Sequence, residues 1–189
     1  MTTYIAARDL AGLPFGTHQF IVVVITEREN FPLPRLNRKT ISPKYLGPGK
    51  IGYVIGAQNR GNLQVEFFEK NDYLATKEFF DKSLVSWYKS DFDTEMIEVV
   101  FSEKNEAGAL RKLYDLVDNY NINQSYDAIN YPKAGLGYNS NSWAQTALEL
   151  AGGIKPSNLK GLDISHEKRI PKTFFEPICP VKPRPKINQ

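Results

Sequence analysis

Sulfur and imidazole are scarce in this chain: one cysteine, Cys179, and two histidines, His18 and His166, among 189 residues. A lone cysteine excludes an internal disulfide and a cysteine-based metal cluster. Two histidines exclude a multi-histidine metal centre, so no metal or other cofactor is expected. Long apolar runs are missing too. The greasiest stretch, Phe20-Ile21-Val22-Val23-Val24-Ile25, suits a buried strand and is far too short to cross a bilayer, so no integral membrane segment is expected. The N-terminus has no basic segment followed by an apolar core. The expectation is a soluble protein, cytoplasmic in its producer or exported by a route that needs no such signal.

Nor is there a strong excess of one charge. Lysine and arginine total 24 against 21 aspartates and glutamates, a formal net charge of +3. The basic surplus gathers at residues 35–50 and 168–186, where solvated loops are the plainer account and contact with phosphates or an anionic surface the sharper one. No basic-aromatic array of a known nucleic-acid reader stands out, so no nucleic-acid partner is expected.

What is present predicts an α+β domain: an antiparallel sheet of about four to five strands packed against helices. The length suits one domain, placed at 1–160, followed by a proline-rich extension at 161–189. Residues 1–16 read as irregular, with one helical turn near Ile5–Leu10. β-branched density marks Thr17–Ile25 as a strand. Prolines at 32, 34, 43 and 48 mark 27–50 as a long surface loop. Ile51–Ala57 and Leu63–Phe68 read as strands joined by a polar turn, forming an antiparallel meander with the first. A helix or helix pair is predicted over Tyr73–Tyr88, a strand over Met96–Phe101 and an amphipathic helix over Glu106–Tyr120.

The chain is organised around Gly137-Tyr138-Asn139-Ser140-Asn141-Ser142-Trp143, which runs on to Gly152-Gly153. Asn139 is a fitting N-cap, Trp143, Ala147, Leu148 and Ala151 make an apolar face, and the glycines supply a stop. Ser140 therefore falls in the first turn, beside unpaired N–H groups and the positive end of the helix dipole. A nucleophile that must stabilise an oxyanion needs that setting. A plain helix cap is the commoner use of such a cluster. What adds weight is His18 at the start of the first predicted strand. If the strand over 51–57 returns antiparallel, Gln58 or Asn59 comes back beside it. Either side chain could accept the imidazole Nδ1–H and aim Nε2 at Ser140.

These two stretches, Gly137–Trp143 and Thr17-His18-Gln19-Phe20-Ile21-Val22-Val23, resemble circularly permuted papain-like proteins. That group includes the lecithin:retinol acyltransferase-like enzymes and cell-wall peptidases. The resemblance implies a hydrolase working by acyl transfer on an amide or ester, with Ser140 as nucleophile, His18 as base and Gln58 or Asn59 as the polar third member. Tyr138, Asn139 and Asn141 would form the substrate and oxyanion neighbourhood. It further implies a cell-wall peptide or acylated substrate. A peptidoglycan amidase or peptidase, such as an antibacterial effector toxin with an immunity or delivery partner, stands ahead of a lipid-acting acyl hydrolase. The group's usual nucleophile is cysteine. Serine at 140 leaves three accounts open: a natural serine enzyme, a cysteine enzyme changed at this position, or a dead site kept for binding.

Overall fold

The computed structural model describes residues 1–10, 16–25, 31–83, 93–102, 105–126, 137–154, 159 and 168–178. At its centre lies β2 (Thr17–Ile25), with β1 (Thr2–Asp9) on one side and β6 (Lys50–Asn59) on the other, both antiparallel. The edges of this sheet are β5 (Lys44–Gly47) and β8 (Thr94–Glu98), giving the order β5-β6-β2-β1-β8. The far half of β6 pairs with β7 (Leu63–Phe67) instead. Short ribbons are made by β3 (Arg35–Leu36) with β4 (Lys39–Thr40), and by β9 (Val100–Phe101) with β10 (Gly153–Ile154). The α+β class and antiparallel sheet are as the sequence predicts.

Side-chain alternation divides β2 between two cores. Ile21, Val23 and Ile25 face α2 (Glu106–Tyr126) and α3 (Ser140–Leu150), in a cluster with Leu113, Val117, Trp143 and Ala147. Phe20 and Val22 face the other way, with Ala6, Val54 and Ala75 of α1 (Lys70–Phe80). A strand covered on both faces is apolar throughout, which is why the run at 20–25 lacks alternation.

Several elements depart from expectation. Residues 2–9 form strand β1, not an irregular lead with a helical turn, because pairing with β2 and β8 on both sides outweighs the helical preference of Ala6-Ala7-Arg8. The loop over 27–50 contains β3, β4 and β5 among its described residues. The helix expected over Tyr73–Tyr88 begins earlier, at Lys70, because Glu69 caps it by accepting the N–H groups of Asn71 and Asp72. It ends at Phe80, and 84–92 lie outside the described residues. The strand expected over Met96–Phe101 is two, β8 and β9, with Val99 between them bonded to Thr3. α2 continues to Tyr126, beyond the predicted end.

Of the extension expected at 161–189, residues 168–178 are described. Residues 168–178 are part of the domain: Ile170 and Phe175 are buried in the core, and the Phe175 ring lies 4.9 Å from that of Tyr120. Asn119 and Asn123 of α2 donate to the carbonyls of Phe175 and Phe174. Cys179 and His166 lie outside the described residues. Phe175→Ala is therefore expected to cost about 3–5 kcal/mol, read as a lower urea midpoint with little change in slope. An appended tail would leave the midpoint where it was.

Candidate functional site

The first turn of α1 carries Asp72, whose side chain is fully buried. Its carboxylate gathers residues from three strands. Arg8 of β1 stands directly across from His18 of β2, and Arg8 Nε donates to Asp72 Oδ1 at 2.7 Å. His18 Nε2 is 3.0 Å from Asp72 Oδ2, and Gln58 Nε2 donates to the same oxygen at 2.9 Å. Gln58 Nε2 also lies 3.1 Å from His18 Nε2. An ionised carboxylate only accepts, so a hydrogen bond between His18 and Asp72 Oδ2 takes a proton on Nε2. In the neutral form of such a ring Nδ1 carries the lone pair. The His18 ring stacks on Phe20, 6.0 Å between centroids, on the face that α1 covers.

The cluster needs a missing side chain. A Cβ at Gly56 would come within 2.7 Å of Asp72 Oδ2 and 3.3 Å of Phe20 Cβ. Glycine at 56 thus opens the space in which the carboxylate sits. Burial by itself pushes the Asp72 carboxyl up. The adjacent His18, and after it Arg8, outweigh burial and hold it below the usual carboxylate range.

On the opposite face, α3 starts as the sequence predicts. Asn139 is extended and its Oδ1 accepts the Ser142 N–H at 2.9 Å. Gly152, at φ +91°, follows the helix with the left-handed stop. Asn141, expected in the substrate and oxyanion neighbourhood, is buried and ties α3 to β2. Its Oδ1 accepts the backbone N–H of Gln19 at 2.8 Å, across 122 residues of sequence, and its Nδ2 lies 3.4 Å from Thr17 Oγ1. Gln145 Nε2 donates to Gln19 Oε1 at 2.8 Å, a second tie between α3 and β2.

This contact is possible because β6 leaves β2. Their pairing ends at Phe20↔Gly56, while β6 runs on with β7 to Asn59. Beyond Phe20 the edge of β2 is open to α3, and Asn141 supplies the acceptor that a strand would have supplied. The N-terminus of α3 and His18 are thereby brought to the same end of β2.

The expected site is assembled in part. Gln58 reaches His18 as anticipated. Asn59 does not: its Oδ1 accepts the Gly61 N–H at 3.1 Å and shapes the turn to β7. The imidazole is turned the other way from expectation, with Nε2 on its carboxylate partner. No hydrogen bond joins Ser140 to His18; Ser140 Oγ lies 3.3 Å from Asn141 Oδ1. Alternation explains the gap, since Thr17 and Gln19 face α3 while His18 faces α1. Tyr138 lies under Lys168 Nζ, 4.3 Å from its ring centroid, beside the Ser140 turn. Arg8 and Asp72 are the members that sequence reasoning missed. Among the described residues no group of His, Cys, Asp or Glu is arranged to hold a metal ion.

Comparison with known proteins returns no match to a family model, a curated protein or a solved structure.

Asp72 yields a signed prediction. Its folded-state pKa lies below its unfolded one, so its contribution to stability is complete above the ordinary carboxylate range. That contribution is lost as pH falls through the lowered value. Asp72→Asn, which removes the nearer of the two carboxylates beside buried Arg8 and leaves it the more distant Glu69, is expected to cost about 3–5 kcal/mol at neutral pH. It should also flatten the acid limb of a stability-against-pH curve between about pH 5 and pH 2. Urea titrations of both proteins across that range check both parts.

Proposed function

We propose that this chain is an acyl-transfer hydrolase of papain-like design, with Ser140 as nucleophile, His18 as base and Asp72 as the group that orients the base. The observation that carries the reading is the Asn141 hydrogen bond to the Gln19 N–H. It fixes the first turn of α3, with its serine and the positive end of the helix dipole, to the residue that follows the histidine.

The chemistry follows from the hydrogen bonds. Asp72 holds the proton on Nε2 and would stabilise the imidazolium formed when Nδ1 takes the Ser140 proton. Because His18 faces α1 and Ser140 opens α3, the reaction requires the two side chains to meet round the edge that β6 has left open, a larger movement than a hydroxyl rotation. Oγ then attacks the carbonyl carbon, and the oxyanion develops beside the Ser140 N–H at the positive end of α3. Collapse expels the amine or alcohol, which takes the proton from His18. Water, deprotonated by the same nitrogen, releases the acid from the acyl-enzyme. A serine hydroxyl depends on such a base far more than a thiol does. The preferred substrate is a cell-wall peptide amide, which suits an antibacterial effector with an immunity or delivery partner. A lipid acyl ester is the next choice.

A second reading has an observation of its own. The polar cluster is satisfied without Ser140, and Ser140 is not bonded to His18, as in a binding module that uses the cluster to lock α1 onto the sheet.

One experiment separates the two. The protein is treated with a fluorophosphonate and its Ser140→Cys form with a thiol alkylator, each beside His18→Ala and Asp72→Asn versions, and adducts are located by mass spectrometry. Hydrolase chemistry predicts labelling at residue 140 that falls about 10²-fold or more without His18. It also predicts a smaller loss in the Asp72→Asn protein. Labelling only of the cysteine form, still dependent on His18, identifies a cysteine enzyme changed at one atom. Rates at residue 140 that ignore His18 in both forms overturn the hydrolase reading and leave the binding module.

A further inference from the structure

The side of the sheet that carries α1 presents lysines laid over aromatic rings. Lys44 Nζ sits 4.5 Å from the Phe68 ring centroid and 5.6 Å from that of Tyr73. Lys77 Nζ lies 5.7 Å from Tyr73, and Lys50 Nζ 5.5 Å from Phe80. At the C-terminal end of α1, Lys82 Nζ lies 5.3 Å from Phe79. These elements are fastened together: the Tyr73 hydroxyl donates to the Tyr45 carbonyl at 2.7 Å, and the Phe79 and Phe80 rings meet edge to face. Tyr45 is 48% exposed beside them.

None of Lys44, Lys50, Lys77 and Lys82 is ion-paired with a carboxylate among the described residues. The acids nearest in sequence are partly committed elsewhere: Glu69 caps α1 and reaches towards Arg8, and Asp81 accepts from Ser83. Glu78 and Asp81, next to Lys77 and Lys82 in sequence, temper the charge. A ring face attracts an ammonium but does not neutralise it, so the surface keeps its positive charge.

We infer that this face docks on an anionic lipid bilayer. Ammonium groups resting on aromatic rings, beside the half-exposed Tyr45, make a layer of positive charge and ring surface that suits an anionic headgroup region. Single-stranded nucleic acid fits less well, because it stacks its bases on open ring faces and here the ammonium groups cover them. No helix among the described residues is long and apolar enough to span a membrane, so the contact is peripheral. The inference uses neither His18 nor Ser140 and stands independently of the hydrolase reading.

The full chain is sedimented with vesicles of phosphatidylcholine alone and with vesicles holding about one third phosphatidylglycerol. Binding to the anionic vesicles alone is expected, weakening as salt rises. The double variant Lys44→Glu/Lys77→Glu should bind at least tenfold more weakly, since each lysine near such a surface is worth about fivefold. Lys44→Arg/Lys77→Arg, which keeps both charges, should bind as the parent does, with circular dichroism confirming the fold of each. Equal binding to both vesicle types, or a double-glutamate variant that binds like the parent, overturns the inference. Tighter binding to a single-stranded oligonucleotide than to anionic vesicles at the same salt assigns the face to nucleic acid and also overturns it.

Discussion

A carboxylate sealed from water must find its charge partners inside the protein, and Asp72 dictates much of what surrounds it. Its two oxygens draw in Arg8 from β1, His18 from β2 and Gln58 from β6, which fixes the relative register of three strands and the seating of α1 over them. Arg8 stands opposite His18 in the sheet, so a shift of one residue between β1 and β2 would turn one of the pair to the other face. Gly56 is the space the arrangement needs, and Glu69 is the cap that sets where α1 begins.

The other organising event is the parting of β2 and β6. Had they stayed paired, the Gln19 N–H would have met a strand carbonyl. Because β6 turns away to β7, that donor is open to Asn141, and a helix start comes to a sheet edge from far along the chain. Trp143 and Ala147 press the same helix into the larger core, so polar tie and apolar packing act on one element. Segment 168–170 reinforces it from outside, with Arg169 paired to Glu149 and the Ile170 N–H bonded to Thr146.

Much of this was legible where local chemistry suffices. The strand at Thr17–Ile25 has β-branched density, α3 has its cap, apolar face and glycine stop, and β6 and β7 are separated by a polar turn. Gln58 beside His18 followed from assuming an antiparallel return. Illegible parts depend on contacts between distant segments. Ala6-Ala7-Arg8 gives no strand signal because both neighbours of β1 lie elsewhere in the sequence. Asp72 looks like an ordinary first-turn acid, and its partners at 8, 18 and 58 share no spacing. The direction of the imidazole could not be read before Asp72 was found. The face to which His18 points depends on a period-two alternation, which a strand apolar on both sides conceals.

Why such a cluster should exist bears on which reading to prefer. A buried ion network is a weak way to gain stability, because desolvation takes back most of what the charges return and apolar side chains of similar volume often do as well. Its distinctive capacity is to hold particular atoms in place. Here it holds the His18 ring by Nε2 at the end of β2 to which α3 is tied. Apolar side chains could fill the space of Asp72 and Arg8, at the loss of the partner that fixes His18 and Gln58. The cluster thus fits the oriented base of the proposed hydrolase, while Ser140 rests on Asn141 in this conformation.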